Sequence, residues 1–212
     1  MSTYDLEQQE TLAEVKAWWR QHGNLIVTGL TIALALIAAW NGWNWYQRNQ
    51  AGQAAGLYDT LQKAARANDI KAVRDASGSI LENFPRTAYA SLAALIAAKV
   101  NFQAGDLKTA RAQLAWAAEH AKGEELRAIA RLRLASVLLD DNAADEALKT
   151  LEATPPPSFE ASYASLRGDI LVAQKKPAEA RAAYKAALEK ADFKDGTLRE
   201  ILRMKLEALG EA

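Results

Sequence analysis

The sequence predicts an all-α chain: one N-terminal transmembrane helix followed by an array of helix pairs. Three observations lead there. The positions between Arg20 and Arg48 carry no Asp, Glu, Lys or Arg, whereas a quarter of the whole chain is charged. The remainder is rich in Ala, Leu, Lys, Glu and Arg, with no run of alternating β-branched residues. Within it, a pattern of small and large residues recurs at a near-constant spacing.

The first element is NLIVTGLTIALALIAAWNGWNWYQ, residues 24–47. At ~1.5 Å per residue the whole uncharged stretch makes a helix of roughly 40 Å, enough for a ~30 Å hydrocarbon layer. Trp18 and Trp19 precede its most apolar part, and Trp40, Trp43, Trp45 and Tyr46 follow it. Indole rings favour that position, with the ring among apolar groups and the N–H in the wet interface. A buried core helix would show a polar face, and this segment has none before Asn41. A cleaved leader starts short and basic, whereas this chain starts with Asp5, Glu7, Glu10 and Glu14. The expected organisation is a short N-terminal segment (1–23), an anchor (24–47) and a main domain (48–212). Within the anchor, Gly29 with Ala33, Ala35 with Ala39 and Ala38 with Gly42 place small residues four apart, a spacing that lets a second helix approach closely, although Ala and Gly are also simply tolerated in a lipid-facing helix. Lys16 and Arg20 before the span nearly balance Arg48 and the later Lys63 and Arg66, so charge leaves the orientation open. A short segment before the span and the bulk after it favour a cytoplasmic N-terminus.

Beyond Arg48 there are 23 Lys and Arg against 22 Asp and Glu, which is no footprint for nucleic acid. Three segments align on Ala110, Ala147 and Ala180, at spacings of 37 and 33 residues. Twelve residues before each stands another small residue, Ala98, Ala135 and Gly168, where paired helices must approach. Four after comes a large one, Leu114, Leu151 and Tyr184, and seven after come Ala117, Thr154 and Ala187. This spacing and size order are those of a tetratricopeptide-like (TPR-like) α-solenoid of helix pairs. Gly105-Asp106, Asp140-Asp141-Asn142 and Lys175-Lys176-Pro177 supply turns between the paired helices. A weaker unit, Leu57 to Pro85, sits upstream, with Val73 standing 37 residues before Ala110. Gly196 to Leu209 reads as a final amphipathic helix covering the last pair. Pro155 to Pro157 stop one repeat and stiffen the connection to the next.

Chemistry of the enzymatic kind is missing from the pattern. His22 and His120 form no metal-binding spacing, no Gly-rich phosphate loop or G-x-S-x-G occurs, and there is no Cys for thiolate chemistry or disulfides. Asp140, Asp141, Asp145 and Glu146 lack the alternating ligands of a calcium loop and read as a solvated turn. The chain is expected to be no enzyme, with no cofactor and no metal. What remains is a protein-binding surface. The first helix of each pair is expected to line the concave face, which places Lys99, Phe102, Leu132, Arg133, Ser136, Leu139, Asp169 and Val172 near it. Leu132 and Leu139 read equally well as core between repeats.

The stretches AEVKAWWRQHGNLIVTG, YASLAALIAAKVNFQAGDLKTARAQL, LRLASVLLDDNAADEALKTLE and SLRGDILVAQKKPAEARAAYKAAL, in this order, resemble the YfgM-type family of single-span, TPR-like ancillary subunits of the SecYEG translocon. The resemblance implies a bacterial inner-membrane protein with a cytoplasmic N-terminus and a periplasmic domain. It also implies a place in the periplasmic chaperone network, handling unfolded secretory polypeptides beside a membrane-anchored chaperone of the PpiD type. It carries no catalytic residues over. The Pro155 to Pro157 run departs from the family pattern. An alternative of a different class is an envelope scaffold that joins membrane complexes without binding clients.

Overall fold

A computed structural model describes residues 3–192 and 195–210. Among them are nine α-helices and no strand. The chain divides into two compact units, Met1–Asn49 and Gln50–Ala212. The helix α1 (Thr3–Arg66) begins in the first and ends in the second.

In the first unit, α1 is long and apolar enough to cross a membrane. Its large apolar side chains face outward, with Leu25 73%, Leu36 67% and Trp40 68% exposed. A contiguous apolar surface of this extent needs a non-aqueous surrounding. Thr31 satisfies its hydroxyl locally by donating to the Val27 carbonyl at 2.8 Å, so it costs little in hydrocarbon. At the near end, His22 stacks on Trp18 with ring centroids 5.2 Å apart, and the Trp19 ring covers Gly23.

The second unit contains four helix pairs and a cap. The end of α1 pairs with α2 (Ile70–Asn83), α3 (Ala88–Gln103) with α4 (Leu107–His120), α5 (Glu124–Asp140) with α6 (Ala144–Thr150), and α7 (Glu160–Ala173) with α8 (Pro177–Lys190). The helix α9 (Gly196–Ala208) closes the array. The turn inside every pair is the same. Asn68, Gly105, Asn142 and Lys175 have φ of 53°, 80°, 58° and 59°. The residue after each donates its N–H back five positions: Asp69 to Ala64, Asp106 to Asn101, Ala143 to Leu138 and Lys176 to Leu171, at 2.8–3.0 Å. This left-handed closure satisfies carbonyls that the ending helix leaves open. In the first two pairs the next helix starts with an aspartate cap, Asp69 and Asp106 accepting from Ala72 and Thr109 at 3.0 Å.

The alignment residues form the core. Ala110, Ala147 and Ala180 are fully buried, as are Ala135, Ala117 and Ala187. Position pairs twelve before and four after the aligned residue trade volume. Where Tyr184 is large, Gly168 is bare, and a Cβ on Gly168 would lie 2.3 Å from Tyr184 Cε1. The first pair inverts the trade. Leu61 is the large partner there and Ser77 the small one, both buried around Val73, which is why this unit reads weakly by residue size.

One expectation fails. The small residue placed at Thr154 lies outside any helix and is exposed, because α6 stops at Thr150. Pro155 to Pro157 lack N–H groups and cannot continue its ladder. A short 3₁₀ turn, Pro157–Phe159, then leads into α7. The truncation leaves a hollow of about 380 Å³ beside it, bordered by Leu151, Pro155, Tyr163 and Ala183.

Candidate functional site: a two-groove face on the first helices

The first helices of successive pairs leave grooves between them. One lies between α3 and α5 and encloses about 330 Å³, with Ala98, Leu114 and Val137 at its base and Lys99, Phe102, Arg133, Ser136 and Asp140 around it. The other lies between the end of α1 and α3 and encloses about 310 Å³, bordered by Gln62, Arg66, Ile96, Lys99 and Gln103. Lys99 stands between the two. The bases are apolar because inter-repeat packing requires small and aliphatic residues there. Phe102 remains 38% exposed, at the last turn of α3, where no further first-helix residue covers it.

Of the eight residues expected on the binding face, the structure brings four together: Lys99, Phe102, Arg133 and Ser136 border one groove. Leu132 and Leu139 are half-buried against the third core cluster, beside Leu138 and Ile170, so packing accounts for them. Asp169 is engaged elsewhere. It accepts a hydrogen bond from the Tyr184 hydroxyl at 2.7 Å and pairs with Lys205 Nζ of α9 at 2.7 and 2.8 Å. Val172, 42% exposed, is one turn further along α7. Burial, then the hydrogen bond to the Asp169 carboxylate and its charge, push the Tyr184 hydroxyl well above the ordinary phenol range.

Sequence reasoning missed an arginine series on the second helices. Arg74 reaches Asp106 at 3.1 Å. Arg111 reaches Asp141 at 2.6 Å and Glu146 at 3.0 Å, which accounts for half of the acidic turn. Arg181 donates to the carbonyls of Leu209 and Gly210 at 2.9 and 2.7 Å, holding the end of α9. Each follows an aligned core residue by one position, and each ties its pair to the next element. In the third pair that position is Leu148, and Gln174 bridges instead to Asp145 at 2.8 Å. The signal was in the sequence, one residue beyond the alignment. Asp106 is held below the usual carboxylate range, first by the Thr109 hydroxyl and then by the Thr109 N–H.

The small residues of the anchor are exposed, and nothing lies within 4 Å of a Cβ placed on Gly29. At about 100° per residue, Gly29 with Ala33 and Ala35 with Ala39 occupy different faces of α1 and form no single stripe. Among the described residues, no cluster of His, Cys, Asp and Glu is placed to hold a metal ion.

Comparison with known proteins agrees with this architecture. A tetratricopeptide repeat-like domain family model matches residues 16–211. A Haemophilus influenzae protein named ancillary SecYEG translocon subunit is 31% identical over 188 residues, 87% of this chain and 90% of the relative. Proteins of the same name from Neisseria gonorrhoeae (31% identical; 96% of this chain, 98% of the relative) and Escherichia coli (29%; 99% of each) match along nearly their whole lengths. The chain therefore belongs to the tetratricopeptide repeat-like family that contains these ancillary SecYEG translocon subunits.

Proposed function

We propose that the chain is a non-enzymatic ancillary subunit of the SecYEG translocon. Residues 24–47 anchor it in the bacterial inner membrane, residues 1–23 lie in the cytoplasm, and residues 48–212 form a periplasmic domain. That domain holds or hands over newly secreted polypeptides, in company with a membrane-anchored chaperone of the PpiD type. The observation that carries this reading is the extent of the similarity. It runs through anchor and repeats alike in relatives that bear the translocon name. The exposed apolar length of α1 and the grooves bordered by Lys99, Phe102 and Arg133 support it by supplying an anchor and a polypeptide-sized surface. Contact between an unfolded client and such a surface is dispersed, and much of its gain is offset by ordering the client. Affinity should accordingly be about micromolar or weaker.

The test is to purify the full chain with its partners from mild detergent and identify them by mass spectrometry. Translocon subunits and a PpiD-type chaperone are expected. A single fixed assembly lacking translocon subunits would overturn the proposal in favour of a scaffold.

A further inference from the structure

We infer that the face formed by the first helices of the first three pairs selects extended segments in which acidic side chains are interspersed with aliphatic ones. The inference rests on the client-handling role proposed above and specifies which polypeptide segments fit. Its first support is charge. Arg66, Lys99 and Arg133 border the two grooves, and Asp140 is the only acid beside them. Among the described residues these three cations have no ion pair or side-chain hydrogen bond. Arg74, Arg111 and Arg181, on the second helices, are all committed to neighbouring elements. The arginines that join one repeat to the next thus have partners, by ion pair or by carbonyl, whereas the three cations around the grooves have none.

The second support is spacing. The two grooves lie on either side of α3, so their apolar bases are about one helix diameter apart, roughly 10 Å. An unfolded chain in the polyproline II conformation advances about 3.1 Å per residue with three residues per turn. Side chains at i and i+3 then point the same way about 9 Å apart. Two aliphatic side chains so placed enter the two grooves, one beside Ile96 and one beside Phe102 and Val137, and the intervening residues lie over Lys99. Carboxylates at those intervening positions meet Lys99, with Arg66 and Arg133 on either side. Lysine there would meet three like charges.

The experiment uses the full chain in nanodiscs of neutral lipid, with empty nanodiscs as control. The probes are fluorescent peptides of about a dozen residues with Leu at every third position, the rest being Asp and Glu in one peptide and Lys in the other. At low ionic strength the acidic peptide should bind roughly tenfold tighter, a figure consistent with several exposed pairs of modest strength. The preference should shrink in high salt. The double variant Lys99→Glu, Arg133→Glu should reverse the preference, and Lys99→Gln, Arg133→Gln should abolish most of it. Both positions are exposed and unpaired, so unchanged circular dichroism is expected. Equal binding of the two peptides, or a preference that survives the charge reversal, overturns the inference. Retained co-purification of translocon subunits alongside that result leaves the proposed function standing. Absent co-purification removes that function and leaves the peptide preference to be judged by itself.

Discussion

Gly168 offers the sharpest test of how the helix pairs fit. A methyl group there would sit 2.3 Å from Tyr184 Cε1, 2.5 Å from Cδ1 and 2.8 Å from Cζ. Ordinary contact begins near 3.4 Å, so the ring would have to retreat by about an ångström. It cannot swing freely, since Tyr184 is 3% exposed and its hydroxyl donates to Asp169, which Lys205 also holds. Overpacking of this kind costs about 1–3 kcal/mol, and the constrained ring places Gly168→Ala at the upper end. Alanine regains about 1 kcal/mol over glycine within a helix. A net loss of about 2 kcal/mol remains, or about 4–8 °C in Tm for a domain of this size. Gly78 supplies the opposite sign. It lies exposed inside α2 with nothing within 4 Å of an added Cβ, so Gly78→Ala should stabilise by about 0.5–1 kcal/mol. The assay is thermal and urea unfolding of residues 48–212, which contain all four core clusters. Combining Gly168→Ala with Tyr184→Ala should recover at least ~1 kcal/mol relative to the sum of the two single changes. A stabilising Gly168→Ala, or additive effects in the pair, would refute the volume trade between these positions.

Lys175 occupies with a lysine the left-handed turn position that Gly105 fills with glycine. Relieving it by Lys175→Gly should raise stability by about 1 kcal/mol, read as the urea midpoint. The raised Tyr184 hydroxyl favours the neutral form in the folded state. Its contribution is therefore complete below the unfolded value of about 10 and is lost as pH rises toward the folded one, by up to ~1.4 kcal/mol per pH unit. Unfolding free energies above pH 10 should fall more steeply for the parent than for Tyr184→Phe, and parallel slopes would contradict this. Phe102→Ser with Val172→Ser removes side chains that are 38% and 42% exposed. It should weaken capture of unfolded secretory polypeptides in a pull-down while shifting Tm by only a few degrees. A large fall would make both residues part of the core.

The parts of the fold legible in sequence were those set by helix geometry. The recurrence of Ala98, Ala110, Leu114 and Ala117 at repeat spacing marks close packing, and all four are buried. Periodicity could not show where a local rule overrides the repeat. Thr154 aligned by spacing, yet the prolines beyond it end α6 early. Leu61 and Ser77 hid the first pair because they exchange sizes across the same interface, and volume is shared between positions that sequence reads singly. Asp169 aligned with the open face, but its partner Lys205 lies 36 residues away on the closing helix. Such a contact depends on how α9 docks, which no spacing within the repeats encodes. Arg74, Arg111 and Arg181 were visible as a series but lie on the outward side, where periodic apolar patterning carries no information. The exposed apolar stretch of α1 was legible almost entirely from composition, since its exposure follows from having no polar face.

The most direct test of client handling at the translocon is site-specific photocrosslinking during secretion. A photoreactive residue is placed at Phe102 in the full chain, with a second version at Gly78 on the exposed side of α2 as control, and membranes are irradiated while a secretory precursor is stalled in the channel. A crosslinked adduct with the precursor is expected from position 102 and little from position 78, in membranes where the chain also co-purifies with translocon subunits. Adducts of equal yield from both positions, or none with the precursor while the chain crosslinks to one fixed envelope complex, would contradict it.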